Sequence, residues 1–130
     1  DFPSAVDINW INRILDSYQD RKAILATHDI WENPQVRNQI ISQNDNVILT
    51  NAGHVDDREV YFIENGPNGG VSNNFVTDYQ WDKREIMLLR YYVFKPLEDK
   101  VYFYTYSPIT NEFEEDDSSQ GSFDLVQADP

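Results

Sequence analysis

Cysteine is absent from the 130-residue sequence. Its absence excludes disulfide bonds, thiolate metal sites and cysteine nucleophiles. Basic residues are also few, because 10 Lys and Arg stand against 23 Asp and Glu, and the formal net charge is -13. A charge of this sign repels phosphate backbones, so we expect no direct binding to nucleic acid.

Long apolar runs are missing as well. None approaches the roughly 20 residues that are needed to cross a bilayer, so we expect no membrane span. The remaining composition is that of an ordinary globular protein, with 40% apolar and 14% aromatic residues. We predict a single domain over residues 1–130, in which a helix and strand layer (1–57) precedes a β-rich part (58–130).

The first part alternates between helix and strand patterns. Apolar residues recur at helical spacing between Pro3 and Tyr18, which predicts an amphipathic helix. Residues 22–27 and 46–50 are short continuous apolar runs, typical of strands buried on both faces. Between them, Asn33-Pro34 resembles an N-cap followed by proline at the first helical position, which predicts a second helix.

The second part has β-strand texture and turn chemistry. Strands are predicted, in antiparallel arrangement, at residues 58–64, 74–80, 85–94, 100–106 and 122–126. Residues 96–99 (PLED) are expected to close a tight hairpin. The acidic run 112–119 is expected to be a solvated loop. We therefore predict a mixed α/β fold with two helices and parallel strands followed by antiparallel strands.

A glycine-rich segment at residues 66–70 (GPNGG) has two interpretations. It suggests a phosphate-binding loop, but it lacks the lysine and the strand-to-helix context that such a loop needs. We favour a simple turn.

The chain has only two histidines, and each follows a predicted buried strand. His28 follows the strand at 22–27, and His54 follows the strand at 46–50. Functional residues gather at the carboxyl ends of strands in parallel sheets. A histidine at such a position is either a metal ligand or a structural residue, and the pattern alone leaves both alternatives open.

The residues around these histidines form two motifs. Residues 24–28 (ILATH) end a strand in a lone histidine, and residues 51–56 (NAGHVD) follow the next strand. They resemble the last two metal motifs of calcineurin-like metallophosphoesterases, in which the second motif is Gly-His-x-His. The similarity continues, in similar order and spacing, at residues 2–3, 10, 20–22, 78–80 and 105–108. It covers nearly the whole chain.

The resemblance implies the C-terminal half of a two-sheet metallophosphoesterase β-sandwich. In that family two divalent metal ions (Mn, Fe or Zn) activate a water that attacks the phosphorus of a phosphate ester. Carried over by position, His28 and His54 are metal ligands, and Asp56 stands where the second ligand histidine belongs. The alternative for Asp56 is a turn formed with Asp57.

The family's other motifs are not found here. Its Asp-x-His, Gly-Asp-x-x-Asp and Gly-Asn-His motifs are absent, and the connection after His28 is short. With three of about six ligands and no catalytic residue assigned, we expect the chain alone to be inactive. Its partner would be a missing N-terminal half of a secreted or periplasmic enzyme.

A different class of function is the alternative. The chain would then be a noncatalytic binding or structural module derived from the phosphoesterase fold. Its Tyr-rich strands, such as residues 101–106 (VYFYTY), would serve for binding or self-association into a homo-oligomer.

Overall fold

The computed structural model of the chain describes residues 3–32, 34–55, 59–79 and 85–125. Within these ranges it is a mixed α/β fold with two sheets and two α-helices, as the sequence predicts. The helices are α1 (Ala5–Ser17) and α2 (Pro34–Gln39). The strands are β1 (Ala23–Ala26), β2 (Val47–Ala52), β3 (Glu59–Asn65), β4 (Val71–Thr77), β5 (Leu89–Lys95), β6 (Lys100–Ser107), β7 (Glu112–Glu114) and β8 (Gly121–Asp124).

The first sheet has the order β1-β2-β4-β3. Strands β1, β2 and β4 are parallel, and β3 is antiparallel to β4. The expectation of antiparallel pairing after residue 58 is therefore wrong for β4 where it contacts β2. In the second sheet, β6 pairs with β5, β7 and β8, and all three pairings are antiparallel.

Helix α1 begins where its sequence provides a cap. Ser4 and Asp7 form a capping box, in which the Ser4 hydroxyl accepts from the Asp7 N–H and the Asp7 carboxylate accepts from the Ser4 N–H. Ile8 is buried against the first sheet. Neither α-helix in the described ranges is long and apolar enough to span a membrane.

Helix α2 begins at Pro34, which suits the first helical turn because proline lacks an N–H. Its proposed N-cap, Asn33, lies outside the described residues. Val36 and Ile40 pack with Ile8 in one hydrophobic cluster over the first sheet.

A second cluster joins the two sheets face to face. Its buried members are Ile48, Leu49, Phe75, Val101, Phe103 and Phe123. Helices therefore cover one face of the first sheet, and the second sheet covers the other face.

Strand β1 differs from its prediction as a strand buried on both faces. Its residues alternate between half-buried and exposed, and Ile24 is 57% exposed. Only β2 pairs with β1 among the described residues, so β1 lies at an edge of the sheet. Strand β2, with neighbours on both sides, is buried at every position except Asn51.

The predicted hairpin at residues 96–99 is confirmed. A single 3₁₀ turn, Pro96–Glu98, joins β5 to β6, and Asp99 takes a left-handed conformation with φ 54°. The acidic run after residue 111 is not entirely loop, because Glu112–Glu114 forms β7, where Phe113 lies opposite Tyr106. The strands predicted at 74–80 and 85–94 are β4 and β5 with shifted boundaries.

The glycine-rich segment is a turn between β3 and β4. The Asp45 carboxylate accepts hydrogen bonds from the backbone N–H groups of Asn68 and Gly70 and from the Asn68 side chain. Burial raises the pKa of Asp45, but the bonds from Asn68 and Gly70 outweigh that effect and lower it. A protein carboxylate therefore occupies the amide donors that a phosphate loop would need.

Candidate metal centre at the carboxyl ends of the parallel strands

The two histidines emerge side by side from neighbouring parallel strands. Ala26 of β1 is aligned with Asn51 of β2, and beyond the strands the Gly53 N–H donates to the His28 carbonyl at 3.1 Å. The imidazole ring centroids of His28 and His54 are 4.1 Å apart, and the ring planes are inclined by 42°. Both residues are exposed. Both rings can therefore contact the same ligand at the surface.

The backbone at His54 is held in an uncommon conformation. His54 has φ 70°, in the left-handed region that non-glycine residues rarely adopt. A Cβ at the preceding residue, Gly53, would lie 3.4 Å from the Thr77 carbonyl oxygen, which is an ordinary van der Waals contact. Non-glycine residues in this region cost on the order of 1–3 kcal/mol and cluster at functional sites. The local geometry thus directs the His54 ring toward its neighbour at an energetic cost.

These donors suit a borderline transition metal. Imidazole nitrogens bind Zn and Fe, and carboxylates extend the choice to Mn. Among the described residues, no group of three or more His, Asp or Glu side chains is arranged to hold a metal ion. Asp56, the third predicted ligand, lies outside the described residues. The described part of the site is therefore a two-histidine set, which fits part of a metal centre.

Asp29 follows His28 directly, and its carboxylate has a structural role. It is 1% exposed, and its Oδ1 accepts from the N–H groups of Trp31 and Glu32 at 2.7 and 3.1 Å. This turn explains the short connection after His28, because the carboxylate closes the chain on itself immediately after the histidine.

Asp78 is a further acidic residue at this edge, and the sequence analysis assigns it no role. It follows the last residue of β4, the next parallel strand, and it is 5% exposed. Its Oδ2 would lie 4.0 Å from a Cβ at Gly53. The signal that could have identified it is its position one residue beyond a strand that pairs in parallel with β2.

A cleft of about 610 Å³ opens beside His28. The start of α1, the end of β1 and α2 form its walls, and Asp7, Thr27 and His28 supply polar groups. Leu25 and Ile40 supply apolar ones. The cleft has the size and mixed lining of a small-molecule site.

The second sheet contacts the site through Tyr92. Its hydroxyl donates to Asn51 Oδ1 at 3.0 Å, at the end of β2. Burial raises the pKa of Tyr92 to about 12, so the phenol remains a neutral donor at physiological pH. This bond ties the strand that precedes His54 to the second sheet.

Comparison with known proteins adds no assignment. The chain matches no family model, no curated protein and no solved structure. The functional argument therefore rests on the histidine pair and on the motifs that surround it.

Proposed function

We propose that this chain carries one side of the metal centre of a phosphoesterase, in which His28 and His54 bind divalent metal (Mn, Fe or Zn). Asp56 is the proposed third ligand. The complete enzyme would hydrolyse a phosphate ester. This chain alone would be inactive, because the remaining ligands would come from polypeptide that precedes residue 1.

One observation carries the proposal. The imidazole rings lie 4.1 Å apart, centroid to centroid, at the carboxyl ends of two adjacent parallel strands. Two ligands of one metal ion must approach within a few ångströms of each other, since each Zn–N bond is about 2.0–2.1 Å long. The two imidazoles are the only ones in the chain, they lie side by side, and His28 lines a surface cleft, so they satisfy that requirement.

Each residue has a definable task in such a centre. When bound, a divalent metal pair supplies a nucleophilic water at neutral pH and polarises the phosphoryl oxygens. His28 and His54 bind through neutral ring nitrogens. Asp29 holds the chain in a turn directly after His28, which limits the movement of that residue.

Strand β1 supports the location proposed for the remaining ligands. It lies at the edge of the first sheet in the described structure, and its outward residue Ile24 is 57% exposed. The 610 Å³ cleft opens on the same side, next to His28. A polypeptide that pairs with β1 would bury Ile24 and bring its own strand end to the histidines.

Metal binding can be tested directly, since the chain has only two histidines and so only two imidazole Cε1–H signals by NMR. Paramagnetic Mn²⁺ is expected to broaden both signals together. His28→Ala and His54→Ala should each weaken Zn²⁺ binding, measured by calorimetry, by about tenfold or more, since even outer-shell partners are worth about 10–100-fold.

A control is needed because an acidic chain attracts cations generally. Glu115→Ala removes an exposed negative charge in the acidic run, a different segment from those that carry the histidines, and should leave Zn²⁺ affinity unchanged. If Mn²⁺ leaves both imidazole signals sharp, or if Glu115→Ala weakens binding as much as His54→Ala, the histidines are not the ligands.

Activity provides a second, separate test. We expect no turnover of an aryl phosphate by this chain with added Mn²⁺, and turnover once the preceding polypeptide is included. Sustained hydrolysis by the 130-residue chain alone would contradict the incomplete centre.

The alternative function is a noncatalytic binding or self-associating module. It is favoured by the second sheet, whose outward side carries large apolar residues at 36–47% exposure. Metal binding distinguishes the two: a noncatalytic module retains its association when both histidines are replaced and binds no metal at them.

A further inference from the structure

Strand β6 has two chemically different sides. The side that faces the first sheet is 0–2% exposed at Val101, Phe103, Thr105 and Ser107. The other side points away from the sandwich and carries Tyr102, Tyr104 and Tyr106, each only half-buried. An outward side of this kind is normally polar in an antiparallel sheet.

Neighbouring strands extend this outward surface. Cross-strand pairing places Leu89, Tyr91 and Val93 of β5 opposite Tyr106, Tyr104 and Tyr102. Phe113 of β7 lies opposite Tyr106 on the other side. The aromatic face is defined as Leu89, Tyr91, Val93, Tyr102, Tyr104, Tyr106 and Phe113. It contains no charged residue.

Along β5 and β6, the charged residues on this side of the sheet lie at the hairpin end, and they are paired. Lys95 binds Glu98, and Lys100 binds Asp124. The aromatic face is thus an uncharged area on a chain of net charge -13.

The exposure of the face is substantial. Leu89, Tyr91, Val93 and Phe113 are 42%, 37%, 36% and 47% exposed. Contiguous apolar surface of this kind on a soluble domain marks an interaction site.

The ring planes of the face are largely engaged within the sheet. Tyr91 stacks on Tyr104 with centroids 5.3 Å apart, and the Lys95 ammonium lies 5.1 Å from the Tyr102 ring centroid. Phe113 contacts Tyr104 and Tyr106 at 6.1 and 5.0 Å. Few ring planes of the aromatic face are therefore accessible to a flat ligand that binds by stacking. The face offers ring edges and aliphatic carbons, which pack against other side chains.

Charge then selects the partner. A partner with a charged contact surface would bury its charges against the aromatic face without a counter-charge, whereas a second copy of this chain presents the same uncharged surface at the contact. We infer that the aromatic face is a homodimer interface, where two copies of this chain pack second sheet against second sheet. The same uncharged surface is then buried on both copies, as two-fold symmetry requires.

The size of the face indicates a weak dimer. Residues 102–106 of β6 at about 3.4 Å each and three strands at about 4.8 Å spacing give a footprint of roughly 250 Å². A stable interface buries about 800 Å² per partner. We therefore expect dissociation constants in the micromolar range, and tighter association at high salt, which screens the repulsion between two acidic chains.

Sedimentation velocity over a concentration series tests the dimer. The wild-type chain should dimerise reversibly, with a larger dimer fraction at higher salt. Tyr104→Glu, at the centre of the face, should weaken association by about tenfold or more. Trp10→Glu, on the exposed side of α1 at 57% exposure, makes the same charge change elsewhere and should leave dimerisation unchanged.

A second variant separates contact from net charge. Phe113→Lys makes the chain less acidic. If net charge alone controlled association, this variant would associate more strongly than the wild type. If the aromatic face is the contact, the variant should associate more weakly. If circular dichroism shows that Tyr104→Glu is unfolded, Phe113→Lys replaces it as the test of the aromatic face. A wild-type chain that stays monomeric up to millimolar concentration overturns the inference. So does a dimer that Trp10→Glu disrupts while Phe113→Lys does not. The result is independent of the metal proposal, because no histidine lies in the face.

Discussion

Replacing Arg90 by methionine should destabilise the protein strongly, because Arg90 forms a buried ion pair with Glu59 between the two sheets. The Arg90 and Glu59 side chains are 3% and 8% exposed. Besides Arg90, the Glu59 Oε1 atom accepts from the Thr105 and Ser119 hydroxyls at 3.0 and 2.8 Å. In Arg90→Met, the carboxylate loses its charged partner and keeps neutral hydroxyl donors among the described residues.

The magnitude follows from burial. Removing one partner of a buried ion pair costs about 3–5 kcal/mol, since the other charge stays buried without compensation. A domain has about 5–15 kcal/mol of total stability, so the loss is a large fraction. It corresponds to a decrease of roughly 12–20 °C in melting temperature, at about 4 °C per kcal/mol for a chain of this size.

The double variant Glu59→Met/Arg90→Met is the informative comparison. The pair is imperfect, because Glu59 Oε2 and Arg90 Nη1 are buried without a hydrogen-bond partner in the described part of the chain. Two methionines remove both charges, and they can pack against Phe75 and Phe103, which lie beneath the guanidinium. The remaining cost is that of the hydroxyl groups left unpaired, about 1–3 kcal/mol.

Urea unfolding followed by tryptophan fluorescence measures all three variants. We expect the double variant to be more stable than either single variant, with a coupling of about 3 kcal/mol or more. Lys95→Met, in the exposed Lys95–Glu98 pair, should leave the melting temperature unchanged within error. Additive single and double effects would refute the interpretation that compensation of buried charge makes this pair essential.

Three further predictions concern local structure and pH. Gly70→Ala should destabilise by about 1–3 kcal/mol, because its Cβ would meet the Asp45 backbone at 2.4 Å. A Cβ at Gly69 meets no atom within 4 Å, so Gly69→Ala should cost only the backbone strain of its φ of 90°. Hydrogen bonds lower the folded-state pKa of Asp45 below its usual 3.8. The contribution of this carboxylate to folding stability is therefore present above about pH 4 and is lost as pH falls further. Asp45→Asn should flatten this loss in acid urea titrations. Burial raises the pKa of Tyr92 from 10.0 to about 12. The contribution of its neutral phenol to folding stability is therefore lost as pH rises from about 10 through 12. Tyr92→Phe should remove one late component from the alkaline ultraviolet titration.

The sequence predicted the histidine positions because the relevant signals are local. An apolar run of four to six residues indicates a strand, and the residue after it lies at the strand's end. That reasoning places His28 and His54 at strand ends. Asp78 was not identified by the same reasoning, because the predicted strand 74–80 enclosed it, whereas β4 ends at Thr77.

Strand neighbours were harder to predict than strands. Residues 22–27 and 46–50 have nearly the same apolar pattern, yet β1 is half exposed and β2 is buried. The difference arises because β2 lies between β1 and β4, while β1 has one partner among the described residues. Nothing in the four residues of β1 encodes the number of its neighbours.

In the second sheet, too, the sequence indicates the strands, and strand pairing decides which side chains are buried. Alternation along β6 is visible in the sequence, but both classes of side chain are large, so the pattern alone could not separate core from surface. The register of β6 against β5 decides it, since it turns Tyr104 toward Tyr91 on the outside and Phe103 toward Tyr92 on the inside. The acidic residues around Phe113 concealed β7, which forms because Phe113 lies opposite Tyr106.

By itself, the sequence determined most of the segments that become helix or strand, and it determined that both imidazoles follow strand ends. Side-chain periodicity and capping carry this information because they act over a few neighbouring residues. Tertiary structure alone decided that those ends are adjacent, with ring centroids 4.1 Å apart, and that the tyrosines of β6 point outward. Such distances depend on pairing between segments far apart in the chain, where the burial of whole surfaces, and not local propensity, selects the partner.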